Sequence, residues 1–291
     1  MTASGEKMIV ANGIDICLET FGDPADPAIL LIGGAANSMD WWEDEFCARL
    51  AAGPRYVIRY DNRDTGRSDS YPQGSPGYTQ PDLTDDALGV LDALDVARAH
   101  VVGISLGAGI AQRLGVEHAD RVASLTLIST SPGGPGGPDN PDLPPMAPEL
   151  SAMFAAEPDE PDWTDRAAVI EYLVEGERPF AGTLPPDEAT TREIASRVVD
   201  RTVDIAASMT NHWIIDGGDP IRDRLGKISA PTLVVHGTHD PLFPAGHGEA
   251  LAREIPGARL LLLEGVGHQY PPRAVWNVLI PALLEHTAGD R

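Results

Sequence analysis

With 291 residues, 42% of them hydrophobic, the chain has enough apolar material for one large α/β domain or a domain carrying an insertion, and it needs no staples to bury a core. A formal net charge of -23 argues against nucleic acid or an anionic membrane surface as partner and leaves small molecules as the expected ones. Cys17 and Cys47 are too few for a disulfide framework and read as free thiols; with no apolar leader in the first residues and no apolar run of membrane-spanning length, the expected location is cytoplasmic.

Met8 to Val10 and Ile14 to Phe21 are β-rich runs joined through Asn12-Gly13, the dipeptide that supplies two positive φ angles to a tight turn, so the chain is expected to open with an antiparallel hairpin. After the turn-forming stretch Gly22 to Pro27, the continuous apolar run Ala28 to Ile32 predicts a strand buried on both faces, ending in Gly33-Gly34-Ala35-Ala36-Asn37. Asp40-Trp41-Trp42 then precedes a short helix, Glu43 to Ala52. The paired tryptophans either line an apolar pocket or pack the helix, and Trp41 and Trp42 are kept as candidate substrate-binding residues. Tyr56 to Asp61 reads as the next strand, and Leu83, Ala87, Leu88, Leu91 and Leu94 recur at the spacing of an amphipathic helix over about 82–95.

The stretch from Ala99 to Ile110 organises the rest. An apolar run of strand length ends at Gly103-Ile104-Ser105-Leu106-Gly107, and a helical pattern starts at once. Glycines flank Ser105 because a strand and a helix joined so sharply leave no room for side chains there, and Ser105 itself is expected in a strained backbone conformation. Its hydroxyl is then held at the sheet edge, and the backbone N–H of Leu106, at the start of the helix, points where an oxyanion would develop.

Val122 to Thr130 predicts a further buried strand. The Pro-Gly run beginning at Ser131 breaks the pattern, and helical patterns with scattered large apolar residues follow, Met209 and Trp213 among them; residues 131–218 read as an inserted helical cap, and residues 1–130 and 219–291 as the core domain. Met209 and Trp213 are the candidate substrate contacts from the cap. Strand patterns resume at Thr232 to His236, followed by Asp240, and at Arg259 to Leu263, followed by His268; helices are expected over 244–255 and 272–286. After the strand ending at Thr130 there is no acid until Asp139, so Asp240 is the chosen carboxylate.

Ser105, Asp240 and His268 thus appear in that order, each just beyond a predicted strand of one parallel sheet, where loops converge on a single crevice. A serine hydroxyl is barely nucleophilic at neutral pH; His268 would take its proton, and Asp240 would orient the imidazole and stabilise its charged form. His236, His239, Asp240 and His247 lie close in sequence, but their spacing matches no metal motif, and neither metal nor other cofactor is expected.

These residues resemble the α/β-hydrolase superfamily over nearly the whole chain, the cap excepted: a mostly parallel eight-stranded sheet with an inserted helical cap. Phe21 to Pro27, Arg59 to Ser68, Ala99 to Ala108, His239-Asp240-Pro241 and His247-Gly248 look most like the branch containing the anthracycline (aclacinomycin-type) methylesterases, and the serine-dependent macrolide esterases are similar. The resemblance implies Ser105, Asp240 and His268 as the triad, Ala35 and Leu106 as backbone oxyanion donors, and a structural brace in Asp61 to Ser68. Where the family usually has His-Gly, this chain has Gly33-Gly34. Relatives that use Asp at the elbow, the dehalogenases and epoxide hydrolases, are disfavoured by Ser105. The expectation is a cofactor-free serine ester hydrolase acting on a bulky polyketide-like ester, with opening of a macrolide lactone, and hence antibiotic resistance, as first choice and a tailoring methylesterase as the alternative; a non-catalytic small-molecule receptor on the same fold is the reading from another class. Oligomeric state is not legible.

Overall fold

Asn12 and Gly13, with φ of 49° and 79°, close the two-residue turn between β1 (Lys7–Ala11) and β2 (Ile14–Phe21), which pair antiparallel as expected. The computed structural model describes residues 4–137, 140–156, 159–184 and 186–288; Asp139 and the first three residues lie outside them.

Six further strands extend the sheet: β3 (Ala28–Ile32), β4 (Tyr56–Tyr60), β5 (Ala99–Ile104), β6 (Val122–Ile128), β7 (Thr232–Gly237) and β8 (Arg259–Leu263). The eight strands run in the order β1-β2-β4-β3-β5-β6-β7-β8, antiparallel at β1/β2 and β2/β4 and parallel from β4 to β8. Alternation along the strands sorts the core into two layers. Leu30 and Ile32 of β3 pack with Leu83 and Leu91 of α2 (Gln80–Ala93) and Ile110 of α3 (Leu106–Glu117) on one face. Ile29 and Leu31 pack with Phe46 and Leu50 of α1 (Asp44–Ala51) and with Leu279 and Leu283 near the C-terminus on the other. Helix α2 begins two residues earlier than its apolar spacing indicates, because Thr79 and Asp82 form a capping box and Pro81 fits the first turn.

Between β6 and β7 the chain forms α4 (Pro148–Ala155), α5 (Arg166–Glu177), α6 (Glu188–Arg201) and α7 (Ile205–Thr210); α8 (Gly246–Glu254) and α9 (Trp276–His286) follow β7 and β8. Helices α5 and α6 share a small core of their own, in which Ile170, Leu173, Val174, Ile194 and Val198 pack around Trp41. Arg201 at the end of α6 reaches back into the core domain, pairing with Asp40, Asp61 and Glu6. Asp61 also accepts the Met39 and Arg67 N–H groups, and Ser68 Oγ bridges Asp61 O and Cys17 N, so the charged turn after β4 acts as a brace. Both cysteines are free and buried, and burial pushes each thiol up to about 12. Among the described residues, no helix is long and apolar enough to cross a membrane.

Candidate active site

Ser105 joins β5 to α3 with φ 51° and ψ −116°, the left-handed region that an L-residue occupies only when its surroundings enforce it. The enforcement is visible: Ser105 N–H donates to Ile128 O at 3.0 Å, while Ser105 O accepts the N–H of Ala108 and of Gly109 and the Thr130 hydroxyl. Helix α3 comes so close to β3 that a Cβ on Gly107 would stand 2.4 Å from Ile32 O, so only glycine fits.

His268 Nε2 lies 3.0 Å from Ser105 Oγ, and its Nδ1 lies 2.9 Å from Asp240 Oδ2. The backbone N–H of His268 donates to Phe180 O at 2.8 Å, and the imidazole is flanked by the Phe180 and Phe243 rings at 6.1 and 5.4 Å. Asp240 Oδ1 accepts the Leu242 and Phe243 N–H groups, at 2.9 and 2.8 Å. Burial works to raise the Asp240 carboxyl, but the neighbouring His268 and these hydrogen bonds outweigh it and hold the group below the usual aspartate range. The three residues that sequence spacing singled out therefore form one hydrogen-bonded series, and Ser105 at its end borders a cleft of about 340 Å³ lined also by Leu106, Thr130, Arg222 and Phe243.

Beside Ser105 runs the loop after β3, in which three successive peptide units are pinned. Gly34 N–H donates to the Tyr270 hydroxyl at 3.0 Å; Gly34 O accepts Asn37 N–H at 3.3 Å; Ala36 N–H donates to His212 Nδ1 at 2.9 Å. Since a trans peptide sets N–H opposite C=O, holding Gly34 O back turns the Ala35 N–H the other way. Among the described residues, neither the Ala35 nor the Leu106 N–H has a hydrogen-bond partner within the protein.

The remaining candidates separate. Trp42 is buried among Phe46 and Tyr270, and Trp41 is buried in the α5/α6 cluster; both border a different cavity, of about 190 Å³, that Ser105 does not line. Sequence left open whether these rings line a pocket or pack; both pack, and both border that cavity rather than the cleft beside Ser105. A large side chain beside a loop reads the same in either case, and here α1, α5 and α6 close over it. Met209 is half-buried against the same cluster. Trp213, by contrast, is 50% exposed and meets Phe154, itself 43% exposed, at 5.7 Å with the rings tilted by 52°; Phe154 meets Phe180 at 6.2 Å, and Phe180 meets His268. A stair of rings thus runs from solvent to the imidazole. The three other histidines near Asp240 face separate partners: His236 Nε2 meets Phe243 O, His239 Nδ1 meets the Thr238 hydroxyl, and His247 meets Ser131 Oγ and Pro144 O.

Three residues near the site went unnoticed in the sequence: Tyr270, His212 and Glu177. The half-buried carboxyl of Glu177, the last residue of α5, is pushed up to about 7 by burial, with the charge of His268 pulling the other way. Tyr270 and His212 act on the loop across 236 and 176 residues of chain, and no local pattern reports contacts of that span.

A family model described as alpha/beta hydrolase fold matches residues 27–269. Rhodomycin D methylesterase DauP of Streptomyces sp. (strain C5) is 36% identical to this chain, covering 97% of each, and rhodomycin D methylesterase DnrP of Streptomyces peucetius is 34% identical with the same coverage. Among solved structures, the enol-lactonase from Burkholderia xenovorans LB400 superposes with a TM-score of 0.72 at 25% identity, covering 96% of this chain and 99% of the other.

Proposed function

The chain belongs to the α/β-hydrolase fold family, and from that premise we propose that it is a serine esterase which cleaves the methyl ester of an aromatic polyketide of the anthracycline type. The observation that carries the esterase reading is the 3.0 Å approach of His268 Nε2 to Ser105 Oγ, with Asp240 behind it. Ser105 Oγ attacks the ester carbonyl carbon as His268 takes its proton. The carbonyl oxygen, now negative, receives hydrogen bonds from the Ala35 and Leu106 N–H groups, the latter at the N-terminus of α3. His268 returns the proton to the departing alkoxide, which leaves as methanol. Water then attacks the acyl-serine with His268 again as base, releasing the acid and restoring Ser105. Every proton and electron pair is accounted for by these side chains and water.

Two lines support the choice of substrate. The rhodomycin D methylesterases resemble this chain over nearly its full length, which places the methylesterase alternative ahead of macrolide lactone opening. The stair of Trp213, Phe154 and Phe180 offers flat faces leading to His268, which suit a planar polycyclic acyl group better than a saturated macrolide ring. Residues 131–218 serve in this reading as the cap that bears those rings.

A fluorophosphonate probe tests the nucleophile. Intact-mass and peptide analysis should find one phosphonyl adduct, on Ser105, and none in Ser105→Ala. Labelling elsewhere, or none at all in the folded chain, would remove the serine mechanism and favour a silent receptor.

A further inference from the structure

We propose that His212 is a positioning residue for the oxyanion loop, so that seating of the segment between β6 and β7 sets the direction of the Ala35 N–H. The inference rests on the esterase reading and on Ala35 as a donor to the developing oxyanion.

The ring is buried, and both of its nitrogens have partners whose roles are fixed. Ala36 N–H is a donor, so His212 Nδ1, 2.9 Å away, is the acceptor; Arg63 O is an acceptor, so Nε2, 2.8 Å away, carries the hydrogen. Only the neutral ring protonated at Nε2 satisfies both. Burial, which holds its pKa below the usual histidine value against the pull of Asp64, works in the same direction.

What His212 holds is a residue that needs holding. Ala36 has φ 61°, in the left-handed region, and such a conformation persists only where its surroundings over-determine it. The Ala35–Ala36 peptide follows directly on the Gly34–Ala35 peptide that carries the proposed donor, and Tyr270 holds the Gly34 N–H on the opposite side. If His212 lets go, the Gly34–Ala35 peptide is held only by the 3.3 Å bond from Asn37 N–H to Gly34 O and the Ala35 N–H gains freedom to swing, whereas Leu106 stays fixed by α3.

The anchor belongs to a larger plug. Asn211, also buried, donates from Nδ2 to Asp64 Oδ2 at 2.9 Å and accepts Gly74 N–H at 2.8 Å. Adjacent residues of the inserted segment thus engage the turn after β4 and the loop after β3 together. The imidazole reaches that loop from 176 residues further along the chain.

Two amide substitutions separate the ring's nitrogens. In His212→Asn the amide oxygen occupies about the place of Nδ1 and still accepts Ala36 N–H, whereas in His212→Gln the terminal amide reaches the Nε2 position, keeps the bond to Arg63 O and leaves Ala36 N–H without an acceptor. The measurements are kcat and KM for a short p-nitrophenyl ester, the inhibition constant of a phenylboronic acid, which forms a tetrahedral adduct on Ser105, and the melting temperature. His212→Gln should lose kcat by about tenfold to a hundredfold, the scale of a misplaced oxyanion donor. Its boronate affinity should weaken by a similar factor while KM moves by less than about threefold; His212→Asn should stay within about threefold of the parent. Equal losses in both variants, full activity in His212→Gln, or failure of both to fold would overturn the positioning role while leaving the esterase reading in place. A parent chain that hydrolyses no ester would overturn both.

Discussion

A Cβ added at Gly103 would stand 2.2 Å from the carbonyl oxygen of Gly107, which measures how tightly the turn around Ser105 is folded on itself. The obstacle is backbone, which has no rotamer to yield. Gly103→Ala should therefore destabilise the fold by about 3 kcal/mol, the upper end of the usual overpacking range. Urea unfolding checks this; a midpoint unchanged from the parent would show that strand and helix can separate without loss.

The Asp240 carboxylate accepts three hydrogen bonds, from His268 and from the Leu242 and Phe243 N–H groups. In Asp240→Asn the amide can present its NH₂ to His268 Nδ1, which selects the tautomer that cannot accept the Ser105 proton. Loss of kcat on the order of 10⁴-fold is expected with the fold retained. Retention of activity within tenfold would mean that another group orients His268.

Glu177 gives a dependence on pH whose sign is fixed. Its carboxyl is raised from about 4.3 in the unfolded chain to about 7 in the folded one, so between these values the folded chain holds a proton that the unfolded chain has lost. Stability from this group falls as pH rises through that window, and above it the full cost of a half-buried carboxylate remains. Glu177→Gln removes that cost: the variant should melt about 2–4 °C above the parent at pH 8 and together with it near pH 4. Equal melting temperatures at both values would show that the carboxyl ionises at its ordinary pKa.

The strand-turn-helix around Ser105 and the acid and histidine after β7 and β8 were legible because each depends on local pattern: an apolar run, a glycine pair, a polar residue just past a strand end. Register within one parallel sheet then brings Ser105, Asp240 and His268 together without further information. The hairpin at Asn12-Gly13 was legible for the same reason. His212 and Tyr270 were not, since their bonds to the loop after β3 exist only once the segment between β6 and β7 and the chain beyond β8 have packed. Trp41 and Trp42 carried no sign of which way they face; for Trp41 that is decided by α5 and α6, far along the chain, and Trp42 packs instead against Phe46 and Tyr270. Nor do Ser105, Asp240 and His268 encode a leaving group, because a lactone and a methyl ester pass through the same tetrahedral intermediate; the preference between them rests on the relatives and on the rings of Trp213, Phe154 and Phe180.

Trp213 and Phe154 meet at a tilt with about half their surface exposed, which suits rings that await a partner. Trp213→Ala and Phe154→Ala should raise KM for an aromatic polyketide ester by about tenfold, near the worth of one aromatic stacking contact. Turnover of p-nitrophenyl acetate, too small to reach them, should change little. Equal effects on both esters would show that these rings only pack against one another.

The central claim is tested most directly by incubating the purified chain with an anthracycline that carries a methyl ester, and separately with a panel of macrolides, and following both by mass spectrometry. The expected result is conversion of the methyl ester to the free acid with release of one methanol, abolished in Ser105→Ala, and macrolides left intact. Macrolides that each gain one water, beside an untouched methyl ester, would contradict it.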